Sequence, residues 1–189
     1  MLLSGLLILL LSFVPMLLYA ALLWWLDRYE KEPLGLLAVA FLWGSVPSII
    51  LALIMQIVLD VPIMAISGSN QLTYELLGAS VVAPLTEEGI KAIALLLLLL
   101  FLRREIDSPL DGLIYGGIVG FGFAAVENVM YVVEGGYQTA MVRAVTAVPA
   151  HALFGVTMGY YFGIARMYGE LRGTYLRRSL LVPILLHGC

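Results

Sequence analysis

The chain has 189 residues, 62% of them hydrophobic and 12% charged, with a net charge of −3. So apolar a composition excludes an ordinary soluble domain and points to transmembrane helices. The single cysteine, Cys189, excludes an intrachain disulfide and argues against a cysteine metal site.

A membrane-spanning helix needs about 20 apolar residues. The first run, 2–26, has no basic leader and is too long for the core of a signal peptide, so it reads as a retained span. Further spans follow over 34–60, 74–102, 112–133 and 141–165, and a sixth begins near 179. The expected fold is therefore all-α, a polytopic transmembrane bundle of about six spans, with 1–189 as one membrane-embedded domain. Because the sixth run stops at Cys189, only part-way across a bilayer, a carboxylate there is costly and the domain is expected to be C-terminally incomplete. Eight of the ten Lys and Arg residues (Arg28, Lys31, Arg103, Arg104, Arg166, Arg172, Arg177 and Arg178) fall in the first, third and fifth loops. By the positive-inside rule those loops are cytoplasmic and the N-terminus lies outside. The stretch RMYGELRGTYLRR (166–178) has the character of an anchor to anionic headgroups.

Few ionisable groups remain inside the spans: Glu87, Glu88, Lys91, Glu127, His151 and His187. A charge at mid-helix costs about 2.5–3.5 kcal/mol on insertion scales, so such groups face a bundle interior or a watery cavity. Glu87 and Lys91 are four apart and can pair on one helix face. That pair leaves Glu88, Glu127 and the two histidines unexplained. At about 1.5 Å of rise per residue, Glu87, Glu127, His151 and His187 all fall between the midplane and the outer leaflet, compatible with one shared site. Pro84, Pro149 and Pro183 each precede one of these residues closely, and proline can kink a helix and open room beside a polar group. Gly112, Gly116 and Gly120, like Gly155, Gly159 and Gly163, recur every four residues and read as close-packing faces. Asn128, next to Glu127, can bond a carbonyl or join helices.

Carboxylates and imidazoles converging in a sheltered cavity suit water activation. A desolvated glutamate can act as general base, while a histidine shares that task, donates to an oxyanion or binds metal. Glu87, Glu127, His151 and His187 are acceptable zinc ligands, although no HExxH pair is present. The same residue types also make proton or cation relays in transporters, or simple helix joints.

Four ordered motifs sharpen the choice: PLTEEGIK (84–91), DGLIYGGIVGFGFAAVENVMY (111–131), PAHALFGVTMGYYFG (149–163) and HG (187–188). Together with DRYEKEP (27–33), they resemble the PrsW intramembrane proteases, distant relatives of the CAAX prenyl proteases in the CPBP superfamily. The resemblance implies an endopeptidase of bacterial or archaeal plasma membranes. Its substrate is expected to be a single-pass protein cut near the extracytoplasmic leaflet, as in site-1 cleavage of an anti-sigma factor. Its implied roles make Glu87 the activator of water and Glu127 a second holder of that water. His151 and His187 support the oxyanion or complete the water site, while Glu88 and Lys91 brace or tune the constellation. Metal-free catalysis is expected, with a divalent ion such as zinc as the alternative. Beyond substrate and bilayer no partner is implied, and nucleic acid is not expected. The family's last motif usually continues to an Asp or Asn at what would be position 191, beyond Cys189.

Overall fold

The computed structural model describes residues 2–27, 30–101 and 106–189. Arg28, Arg103 and Arg104, three of the cations used for orientation, lie outside the described residues. Those described form helices and no strand. Helix α1 spans Leu2–Leu26. A second rod joins α2 (Leu34–Trp43), a wide π-helical turn at Gly44–Ser48, and α3 (Ile49–Ser67). A third joins α4 (Gln71–Leu77), a π turn at Gly78–Val82, and α5 (Ala83–Phe101). Then come α6 (Pro109–Val145), α7 (Ala147–Met167) and, after a 3-10 turn, α8 (Arg172–Gly188). Ser4–Leu26, Leu34–Ser67 and Pro109–Val145 are long and apolar enough to cross a membrane by length and composition.

The six expected runs thus appear as six rods, with three corrections. The sixth helix begins at Arg172 rather than near 179, so Arg172, Arg177 and Arg178 ride on its first turns. The fourth and fifth spans are not separated by a loop around 134–140. Instead the helix path breaks at Gly136, whose φ of 76° and ψ of −175° are accessible to glycine, and turns into α7 at Thr146. Finally, Pro149 lies in the first turn of α7, where its missing N–H interrupts no ladder bond and need not kink the helix. Two other prolines do sit at irregular turns. Pro47 lies inside the first π turn and Pro84 two residues beyond the end of the second. An extra residue in the turn lets the chain accommodate a ring that cannot donate to the carbonyl four residues back.

The centre of the bundle is α6, 72% of whose most apolar stretch is buried against 11% for the first two rods. Glycine puts it there. A Cβ on Gly116 would fall on the carbonyl oxygen of Gly155, and one on Gly112 on that of Gly159, so α6 and α7 touch backbone to backbone. On the other side, Gly122 packs on the Phe41 carbonyl and Gly44 on that of Val119. Leucines of α1 and Ile57, Val58, Val61 and Ile66 of α3 remain exposed, as suits surfaces solvated by lipid.

One end of the bundle is tied by a buried polar knot. The Asp27 carboxylate accepts the Glu32 N–H at 3.2 Å, and the Tyr115 hydroxyl of α6 donates to Glu32 Oε2 at 2.7 Å. Arg166 donates to the Ile106 carbonyl at the same end. Burial pushes the Glu32 carboxyl up to about 7; Asp111 and Asp27 push the same way and the Tyr115 hydrogen bond opposes them. The folded chain therefore holds this proton more tightly than the unfolded one. The resulting stability is complete below about pH 4.5 and is lost as pH rises through about 7. Glu32→Gln is expected to flatten that part of the pH–stability curve, measured by thermal unfolding in detergent.

Candidate active site

Four helices supply the site. Helix α5 contributes Glu87, Glu88 and Lys91; α6 contributes Glu127 and Asn128; α7 contributes His151 and α8 His187. The structure brings all seven sequence-predicted residues together. The hub is the Lys91 ammonium, whose side chain is wholly buried. It donates to Glu88 Oε1 at 2.8 Å, contacts His151 Nδ1 at 3.0 Å and lies 4.0 Å from the Phe123 ring centroid. An ammonium can only donate, so His151 Nδ1 accepts and its Nε2 carries the hydrogen. That Nε2–H then donates to Glu127 Oε2 at 2.9 Å. Beyond Lys91, His187 Nδ1 lies 3.0 Å from Glu88 Oε1. Phe154 stacks on the His187 ring at 4.8 Å between centroids.

His187 owes its position to two neighbouring features. Pro84 cannot bond the Ser80 carbonyl, and Gly188 closes onto that oxygen so tightly that a Cβ would come within 2.6 Å of it. The "HG" pair at the end of α8 therefore works with the proline that begins α5.

Two participants were missed in the sequence. Arg143 is ion-paired to Glu127 Oε2, donates from Nε to Asn128 Oδ1 at 3.0 Å and stacks 3.8 Å from the Tyr131 centroid. In a straight helix Glu127 and Arg143 would stand about 24 Å apart. The break at Gly136 turns the chain back and makes the contact possible. Gln56 of α3 is the other: its amide nitrogen lies 3.4 Å from Glu87 Oε1 and 3.3 Å from Thr86 Oγ1. An amide inside the apolar run 34–60 was the available signal, since burying one is costly without a partner.

Glu87 and Glu88 each bury an Oε2 with no hydrogen-bond partner among the described residues. Glu87 differs in its setting, with its Oε2 4.0 Å from Lys91 Nζ. It lines a cavity of about 420 Å³ walled by α3, α4 and α6, together with Gln56, Asp60, Tyr74, Glu127 and Tyr131. Glu87, Glu88, His151 and His187 each offer one donor atom within 4.8 Å of the others. Glu127, expected among such donors, is outside that set and is held instead by His151 and Arg143. The four donors suit a divalent ion in kind. With Lys91 bonded to Glu88 and His151, however, a cation already sits among them, and the residues as arranged do not fit an ion and Lys91 together.

A family model described as "PrsW family intramembrane metalloprotease" matches residues 32–189. The chain belongs to the PrsW family. Among curated relatives, the Protease PrsW of Clostridioides difficile (strain 630) is 37% identical over 168 residues, covering 86% of this chain and 68% of the relative. That of Geobacillus kaustophilus (strain HTA426) is 36% identical over 171 residues, with the same shares. That of Bacillus subtilis (strain 168) is 33% identical over 171 residues, covering 86% of this chain and 71% of the relative. No solved structure matches the chain. As a PrsW-family member it is an intramembrane protease and an integral membrane protein.

The pairings separate bracing from chemistry. Removing Lys91 strands two buried carboxylates, so Lys91→Met is expected to destabilise the protein by about 3–5 kcal/mol. Glu87→Gln, which disturbs only a 4.0 Å ion pair and a 3.4 Å hydrogen bond, is expected to leave unfolding nearly unchanged. Thermal or denaturant unfolding in detergent distinguishes the two variants.

Proposed function

We propose that this PrsW-family protease hydrolyses a peptide bond of a single-pass membrane protein near the extracytoplasmic leaflet, using water activated by Glu87 without a metal. The observation that carries this reading is Glu87 itself, the cavity-lining carboxylate with a buried, unpartnered oxygen. Water held there loses a proton to Glu87 as its oxygen attacks the substrate carbonyl carbon. A C–O bond forms and the carbonyl π pair moves onto its oxygen. When that pair returns, the C–N bond breaks and Glu87 delivers its proton to the departing amine. Glu127, which lines the same cavity, is held by His151 from behind. Lys91 keeps Glu88 and His151 in register.

The charge pattern supports the leaflet assignment. Lys31, Arg166, Arg172, Arg177 and Arg178 belong to loops or helix ends on the side of the Glu32–Tyr115 knot, away from Arg143 and the cavity. That arrangement agrees with a multi-pass orientation in the plasma membrane of a bacterium or archaeon. By the family resemblance, the substrate class is anti-sigma-factor-like, and the cut is the first of a cascade.

A metal-dependent version has one observation in its favour, the four donors within 4.8 Å. Glu87, Glu88, His151 and His187 are the residues such an ion would need, once Lys91 had withdrawn, and the ion would supply Lewis-acid activation of water.

A fluorophore–quencher peptide comprising one transmembrane segment and its outer junction, reconstituted with the full chain in liposomes, tests both versions. Glu87→Gln is expected to lower turnover by about 10²–10⁴-fold while melting like the unsubstituted protein. Retention of activity after exhaustive chelation agrees with the metal-free version. Loss restored by zinc replaces it with the metal-dependent one.

A further inference from the structure

The tetrahedral intermediate needs a hydrogen-bond donor aimed at the oxygen that becomes negative, and the residues expected to supply it are engaged elsewhere. His151 presents Nε2–H to Glu127, and its Nδ1 faces Lys91. His187 meets Glu88 and does not line the cavity. The Arg143 guanidinium is spent on Glu127 and Asn128, and the Tyr74 hydroxyl donates to Asp60.

One N–H donor does face Glu87 from the cavity wall. Gln56 Nε2 reaches Glu87 Oε1 at 3.4 Å and Thr86 Oγ1 at 3.3 Å. Both contacts are longer than the usual 2.7–3.2 Å of an N–H···O bond. They hold the amide in place without consuming it. Thr86 is itself fixed, its hydroxyl donating to the Val82 carbonyl at 2.8 Å, which leaves its oxygen to accept from Gln56. That carbonyl belongs to the π turn ahead of Pro84, so the same irregularity that sets Glu87 also sets the acceptor that aims Gln56.

We propose that Gln56 is a further catalytic residue, the donor to the substrate oxyanion, an assignment that rests on the hydrolytic reading of Glu87 above. A carbonyl carbon attacked by water bound to Glu87 brings its oxygen within reach of the neighbouring amide. As the O–C bond forms and the π pair moves to that oxygen, the Gln56 N–H turns from Glu87 Oε1 to the oxyanion. Gln56 transfers no proton. It returns to Glu87 when the intermediate collapses and the amine leaves with the proton that Glu87 carried. The exchange is favourable in sign, because the N–H is released from Glu87 as that carboxylate takes up its proton.

A purely structural Gln56 would only tie α3 to α5 through Thr86. That role predicts a lower melting temperature and unchanged turnover per folded molecule. Oxyanion donation predicts the opposite division: Gln56→Leu and Gln56→Glu lower kcat by about 10²–10³-fold, the typical effect of deleting one such donor, with KM little moved. Gln56→Asn, which keeps the amide on a shorter arm, recovers part of the loss. The measurement uses the fluorophore–quencher single-pass peptide in liposomes, with full-length variants normalised to the folded fraction. Full kcat in Gln56→Leu, alongside an inactive Glu87→Gln, overturns the assignment and leaves the hydrolytic reading standing. Undiminished cleavage by Glu87→Gln, or none by the unsubstituted protein, overturns that reading and this assignment with it.

Discussion

An ammonium ion buried at 0% side-chain exposure inside a helix bundle is the constraint from which the rest follows. Its desolvation is tolerable only if every hydrogen finds an acceptor or a π face and opposite charge lies close. Lys91 meets those terms by drawing on four helices. Glu88 comes from its own helix, His151 from α7 and the Phe123 face from α6, while His187 of α8 shares the Glu88 oxygen. Each partner is then fixed in position and tautomer. Glu127, held by the His151 Nε2–H, inherits its place from the same hub. The geometry of the candidate site in this PrsW-family protein is thus a by-product of satisfying one buried cation.

Such satisfaction demands close approach of backbones, which explains the glycines. In a bilayer the hydrophobic effect does not drive helices together, so packing and polar contacts must do so. The α6–α7 crossing brings Gly112, Gly116 and Gly120 against Gly159, Gly155 and the His151 backbone. A Cβ at any of them would push α7 outward and carry the His151 ring away from Lys91 and Glu127. The two π turns act along the rods in a similar way. Each lies at a proline, and each re-aims the helix that bears a cavity residue: α3 with Gln56, and α5 with Glu87.

Much of this was legible in the sequence because each signal was local and costly. Six apolar runs gave six rods. The ionisable residues left after removing the loops gave the site, since burying them without purpose is expensive. The glycine spacing gave the packing faces. What escaped depended on tertiary direction rather than on residue type. The pair Gly135–Gly136 marked a weak point in the helix, but only the left-handed φ of Gly136 sends the chain back so that Arg143 meets Glu127. Pro149 looked like a kink beside His151 because its distance from the helix start could not be read. Gln56 escaped because its partners, Thr86 and Glu87, lie on a different rod. Glu127 resembled a metal ligand by type, but it lies outside the four-donor group and is held by His151 and Arg143.

The balance of charge at the site connects these features to reactivity. Glu87, Glu88 and Glu127 bring three negative charges; Lys91 and Arg143 bring two positive ones, and His151 is neutral in the tautomer that its neighbours impose. Lys91 bonds Glu88 and Arg143 pairs with Glu127, so Glu87, 4.0 Å from the Lys91 ammonium and facing the cavity, is the least closely paired of the three. A carboxylate so placed in a low-dielectric bundle gains from a closer positive partner. A proton drawn from water would supply one by the proposed general-base catalysis, and a divalent ion would supply one by coordination. Both readings of the reaction therefore have one electrostatic cause, and what divides them is whether Lys91 stays. While its ammonium remains between Glu88 and His151, a second cation beside it is repelled, and a proton is the smallest positive charge that Glu87 can still accept.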